Sequence, residues 1–150
     1  MNYLLDTNIL VGYVRDKQFS EKIRKDLNFP NADDLFGISV VSLGELRSLA
    51  LRRKWGQPKK MDLKSLVEEL IILDINSEDI IDKYAEIEAF SQNELAYKPL
   101  KTSARNMGKN DLWIAATASV TQAQLVTTDK DFDHLRDYYL DIYFIDVKNY

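Results

Sequence analysis

Asn2-Tyr3-Leu4-Leu5-Asp6-Thr7-Asn8-Ile9-Leu10 is the stretch that decides the fold. Its apolar run is short and continuous rather than alternating, as in a strand buried on both faces. Asp6 stands at the end of that run, and Ile9, Leu10, Tyr13 and Val14 continue at helical spacing, with Thr7 or Asn8 able to cap the helix. A cap alone does not require Asp6. The same order of apolar run, acid and helix recurs outward from here. Gly37 to Val41 reads as a second strand, followed by Ser42-Leu43-Gly44-Glu45-Leu46, where Ser42 and Glu45 have capping-box spacing ahead of a helix reaching about Lys54. Leu70 to Leu73 is a third strand with Asp74 after it. Gln124 to Thr127 is a fourth, ending in Thr128-Asp129-Lys130-Asp131-Phe132, and Ile142 to Ile145 is a fifth.

The intervening segments have helical periodicity. Ser20 to Leu27 predicts a short helix with Ser20 as its cap, and Trp55-Gly56-Gln57-Pro58 predicts a stop before a helix over Leu63–Leu70. Ser77 to about Asn93 predicts a long amphipathic helix. Ala96 to Lys109 holds Pro99 and Gly108 and reads as a basic loop or loose helix. It leads into Asn110-Asp111-Leu112-Trp113-Ile114-Ala115-Ala116-Thr117-Ala118, a buried helix with Asn110 as a good cap. Strands alternating with helices predict an α/β domain over residues 1–150: three layers, α/β/α, around a short parallel sheet of about five strands.

Composition narrows the chemistry. The chain has 150 residues, no Cys and one His, His134. Thiolate zinc sites, Cys nucleophiles and His-based metal clusters are therefore excluded, and carboxylates are left to carry the chemistry. No apolar stretch approaches the ~20 residues of a membrane span and no leader precedes the first strand, so the expected location is the cytoplasm, with no membrane partner. The net charge is −4, but it is unevenly spread. Arg47, Arg52, Arg53, Lys54, Lys59 and Lys60 form one acid-free run, and Lys98, Lys101, Arg105 and Lys109 form another. Solvated surface is the plainer origin of such runs; phosphate contacts are the other.

In open parallel sheets ligands sit beyond the carboxyl ends of the strands. Asp6 and Asp129 follow strands there, while Glu45 and Asp111 lie in the first turns of helices. On its helix Asp111 shares a face with Ile114, Ala115 and Ala118, a costly place for a carboxylate unless it is protonated, paired or hydrogen-bonded. Capping accounts for each acid singly, but not for four converging on one edge. At ~5 Å and an effective dielectric of about 20, each ionised pair repels by roughly 3 kcal/mol, so the cluster calls for cations. Oxygen ligands without His or Cys suit Mg²⁺ or Mn²⁺, and the matching chemistry is metal-assisted hydrolysis of a nucleic-acid backbone.

Taken in order, Leu5-Asp6-Thr7-Asn8-Ile9, Glu45-Leu46, Asn110-Asp111-Leu112-Trp113-Ile114-Ala115-Ala116 and Thr127-Thr128-Asp129-Lys130-Asp131-Phe132 resemble the PIN-domain nucleases, most closely the VapC-type toxins of toxin–antitoxin systems. The resemblance runs from Asn2 to the last strand. It implies a metal-dependent endoribonuclease acting on tRNA or rRNA, inhibited by a cognate antitoxin and homodimeric. It assigns Asp6, Glu45, Asp111 and Asp129 to catalysis, with Asp6, Asp111 and Asp129 on Mg²⁺ or Mn²⁺ and Glu45 on a water or a proton. Asn8, Thr128 and Asp131 fall at supporting positions. Arg47, Arg52, Lys98, Lys101, Arg105 and Lys109 are the expected RNA contacts. Other readings consistent with the residues are a PIN- or flap-type nuclease of RNA processing or DNA repair, and a catalytically silent RNA- or protein-binding module. Receiver and dehalogenase-type pockets also place carboxylates at strand ends, but Asp6 is followed by Thr7-Asn8, without the Asp-x-Asp that dehalogenases use.

Overall fold

The computed structural model describes residues 1–149. Five strands, β1 (Asn2–Leu5), β2 (Leu35–Ser39), β3 (Ile71–Leu73), β4 (Gln124–Thr127) and β5 (Asp141–Phe144), form an all-parallel sheet in the order β3-β2-β1-β4-β5. Register pairs Leu4 with Gly37 on one side and with Leu125 on the other. Strand order reverses between β1 and β4, which places the topological switch between the strand that precedes Asp6 and the strand that precedes Asp129.

Helices α1 (Thr7–Arg15), α2 (Lys17–Asp26), α3 (Val40–Arg52) and α4 (Gln57–Glu68) cover one face; α5 (Glu78–Ser91) and α6 (Lys109–Thr121) cover the other. Successive strand residues point to opposite faces, so Leu5, Ile38 and Val126 pack into the first layer while Leu4, Leu125 and Ile142 pack into the second. This is the expected three-layer α/β/α arrangement. Phe29, Phe36 and Trp55 belong to the core, whereas Tyr138 is partly exposed. Gly12 lets α1 and α2 meet, since a Cβ there would stand 2.9 Å from the Phe19 ring.

Helix starts differ from those expected, each for a local reason. Ser39 ends β2 by turning its hydroxyl onto the Val41 N–H, so α3 begins at Val40 and the Ser42–Glu45 capping box does not form. Asp16, not Ser20, caps α2, accepting from the Gln18 and Phe19 N–H groups. Pro58 opens α4 rather than separating it from α3, because proline fits a first helical turn where no donor is needed. The cap of α6 is Gly108, with no side-chain bond, so Asn110 is not the cap.

The segment between α5 and α6 carries turns only, but it is tied down. The Arg105 N–H donates to the Ser91 carbonyl at 2.7 Å, the Leu100 N–H donates to Asn93 Oδ1 at 2.9 Å, and Leu95, Leu100 and Met107 pack on the second core. Ser91 Oγ lies 2.7 Å from Nε2 of the buried His134, joining this segment to the 3-10 turn Lys130–Leu135. No helix among the described residues is long and apolar enough to cross a membrane.

Candidate active site

The carboxyl ends of β1 and β4, the first turn of α6 and the first two turns of α3 meet at the switch point; because α3 begins at Val40, Glu45 lies in its second turn rather than the expected first. Asp6 is buried, with 3% of its surface exposed. Each of its oxygens is held: Oδ1 accepts from the Thr7 N–H at 2.8 Å, and Oδ2 accepts from Thr127 Oγ1 at 2.7 Å. Thr127 in turn accepts from the Asp129 N–H at 3.0 Å, so one buried hydroxyl couples the ends of both strands. Asp129 then caps the 3-10 turn through the Asp131 N–H at 2.8 Å. The cap expected for Asp129 is thus present, and it brings Asp131 alongside.

Across the cleft, Glu45 Oε1 accepts from Thr7 Oγ1 at 2.8 Å, and Thr7 Oγ1 lies 2.9 Å from the Oγ of Ser42, a fully buried residue. Ser42 and Glu45 therefore serve the site rather than the helix start. Asp111 lies in the first turn of α6, partly buried, and its carboxylate accepts no hydrogen bond among the described residues. One oxygen each from Asp111, Asp129 and Asp131 lie within 4.8 Å of one another.

Electrostatics follow from this crowding. Burial raises the Asp6 carboxyl to about 6, against the opposing hydrogen bonds from Thr127 and Thr7; Asp129 and Glu45 push it the same way as burial. Burial, then the charges of Asp6, Asp129, Glu45 and Asp131, raise Asp111 to about 7. Ionisation of Asp6 and of Asp111 is thus opposed by the charges around them, and a dense set of oxygens without His or Cys matches a hard divalent cation. Asp111, Asp129 and Asp131 have the donor chemistry to hold it, with Asp6 deeper behind them.

The other expected residues are scattered. Asn8 and Thr128 line a separate depression with Arg15 and Asp16, and the hydroxyls that serve the acids are those of Thr7, Ser42 and Thr127. Arg47 lines an apolar groove between α3 and α4 to which none of the clustered acids contributes. Lys98 pairs with Glu86 at 3.6 Å and Lys109 with Glu88 at 3.4 Å, both near the surface. Lys101 and Arg105 are exposed. Arg52 stays on the side of Glu45, its Nε donating to Ser48 Oγ at 3.2 Å.

A parallel sheet with carboxylates gathered at its switch point defines a family, and the PIN-domain model matches residues 3–138; the chain belongs to that family. Within it, the chain is similar to the VapC-type toxins. The structure of VapBC2 from Rickettsia felis bound to a DNA fragment from their promoter matches with a TM-score of 0.75 at 25% identity, covering 97% of this chain and 100% of that one. VapBC-1 from nontypeable Haemophilus influenzae matches with a TM-score of 0.72 at 26% identity, over 96% and 98%. FitAcB from Neisseria gonorrhoeae shares the fold, with a TM-score of 0.70 at 23% identity over 95% and 96%. No curated protein matches the sequence.

Proposed function

We propose that the chain is a cytoplasmic endoribonuclease toxin, folded as one nuclease domain, that hydrolyses the phosphodiester backbone of tRNA or rRNA. Its partners in this reading are Mg²⁺ or Mn²⁺, a cognate antitoxin and a second copy of itself. The observation that carries it is the acid cluster: three carboxylate oxygens within 4.8 Å, with Asp6 and Glu45 near enough to help raise Asp111 to about 7. Such a cluster is stable in its ionised form only with a cation, and an anionic substrate can approach it only through one. The likeness to VapBC structures over nearly the whole chain supports the toxin and its antitoxin partner.

When bound, the metal supplies charge neutralisation for the phosphate and a lowered pKa for the attacking water. The chain's own residues do the rest. Asp111, Asp129 and Asp131 would hold the ion. Thr127 and the Thr7 N–H fix both oxygens of Asp6. Glu45, oriented at Oε1 by Thr7, takes the proton of the attacking water at Oε2, which accepts no hydrogen bond among the described residues. The water oxygen bonds to phosphorus, the bond from phosphorus to the leaving ribose oxygen breaks, that oxygen takes a proton from solvent water, and Glu45 returns its own proton to solvent.

The test is cleavage of total bacterial RNA by purified, antitoxin-free protein in Mg²⁺, Mn²⁺ or EDTA, beside Asp6→Ala and Asp111→Asn. Discrete fragments that require metal and vanish in both variants are the expected result. A folded, metal-binding wild type that leaves all RNA intact overturns the proposal.

A further inference from the structure

Glu45 belongs to two places at once. It reaches the acid site through Thr7, and it also lines an open depression of about 490 Å³. Val40, Gly44, Ser48 and Arg52 line the same depression from α3, and Asn110 faces them from α6. The four α3 residues are spaced by four, so they form one stripe along the helix. Arg52 lies seven residues from Glu45, roughly 10 Å along the axis.

Gly44 is the odd member. A glycine inside a helix costs about 1 kcal/mol relative to alanine. No close packing explains it here, because a Cβ at Gly44 would meet nothing within 4 Å. The residue leaves bare helix backbone beside the catalytic acid. Val40 offers an exposed apolar surface one turn before it. At the far end, Ser48 orients the Arg52 guanidinium, which has no carboxylate partner among the described residues, whereas Lys98 and Lys109 are both paired with glutamates.

We propose that this stripe is the track for single-stranded RNA on one side of the scissile phosphate, with a nucleoside lying flat over Val40 and Gly44 and a neighbouring phosphate on Arg52. An apolar patch, a bare backbone and an unpaired guanidinium suit in turn a base, the space that base needs, and the charge beside it. The track rests on the ribonuclease reading above.

The experiment compares wild type, Gly44→Ala, Gly44→Leu and Arg52→Gln in cleavage of total bacterial RNA with Mn²⁺, following the rate at which discrete fragments appear. Mn²⁺ binding and thermal unfolding are measured on the same samples. Gly44→Leu should keep its metal isotherm and melt no lower than wild type, yet cut at least roughly tenfold more slowly, with Gly44→Ala in between. Arg52→Gln should weaken the salt dependence of the rate between about 50 and 200 mM, in line with one lost phosphate contact. Fragments from wild type and equal rates for a folded Gly44→Leu refute the track alone. Absence of metal-dependent fragments from wild type refutes the ribonuclease reading, and the track with it.

Discussion

Replacing Asp111 with asparagine should make the metal-free protein more stable at neutral and alkaline pH while abolishing its response to metal. Oxygens of Asp111, Asp129 and Asp131 lie within 4.8 Å, where two full charges repel by about 3.5 kcal/mol at an effective dielectric near 20. Asp111 is raised to about 7 and Asp6 to about 6, from 3.8 in the unfolded chain. A raised acid holds its proton preferentially in the native state. Its stabilisation is complete below the unfolded value and is lost as pH rises through the folded one, here between about pH 4 and 7. A tenfold change in proton affinity corresponds to about 1.4 kcal/mol, but the two acids share the same repulsion and Asp111 is only partly buried, so removing its charge should contribute about 2 kcal/mol. For a chain of this size that is roughly 4–8 °C in Tm. In EDTA at pH 8, Asp111→Asn should therefore melt higher than wild type, and the gap should close as pH falls towards 4. Added Mn²⁺ should reverse the order by stabilising wild type alone. The assay is thermal unfolding across pH with and without metal. A variant no more stable than wild type in EDTA at pH 8, or one stabilised equally by Mn²⁺, would refute the account of the cluster.

Mn²⁺ affinity should rise at least roughly tenfold between pH 5.5 and pH 7.5, because Asp6 and Asp111 must lose protons before they can serve a cation; titration calorimetry at the two pH values measures it. Thr127→Val keeps the shape of a fully buried side chain but removes the bonds to Asp6 Oδ2 and the Asp129 N–H. It should cost about 1–3 kcal/mol by denaturant unfolding. Thr7→Val releases Glu45 Oε1 and leaves Ser42 Oγ without its neighbour, so RNA cleavage should slow by roughly tenfold or more while the Mn²⁺ isotherm stays unchanged.

The alternation of apolar runs and acids made the sheet and the placing of Asp6 and Asp129 legible, because a strand buried on both faces leaves no room for an alternating pattern. Helix starts were less legible. Ser39 and Ser42 are chemically equal as caps, as are Asp16 and Ser20 within a turn, and only the backbone path chooses between them. The site hydroxyls went unseen for a related reason: Thr and Ser are common at strand ends and helix starts. A signal was present nonetheless. Thr127 closes an apolar strand, and Ser42 sits four residues before the buried Leu46, so each is a polar group bound for the interior and in need of a partner. Asp131 joined the cluster because the cap made by Asp129 turns the chain tightly, which spacing alone does not reveal.

The bond from Thr127 to Asp6 spans 121 positions of the chain. During synthesis the first strand, α1 and α3 emerge early, carrying Asp6, Glu45 and the hydroxyls of Thr7 and Ser42, but β4 pairs with β1 only after most of the sequence has been made. Until residue 131 has left the ribosome, the nascent chain lacks part of its acid cluster, and translation itself delays the moment at which the molecule acquires its chemistry.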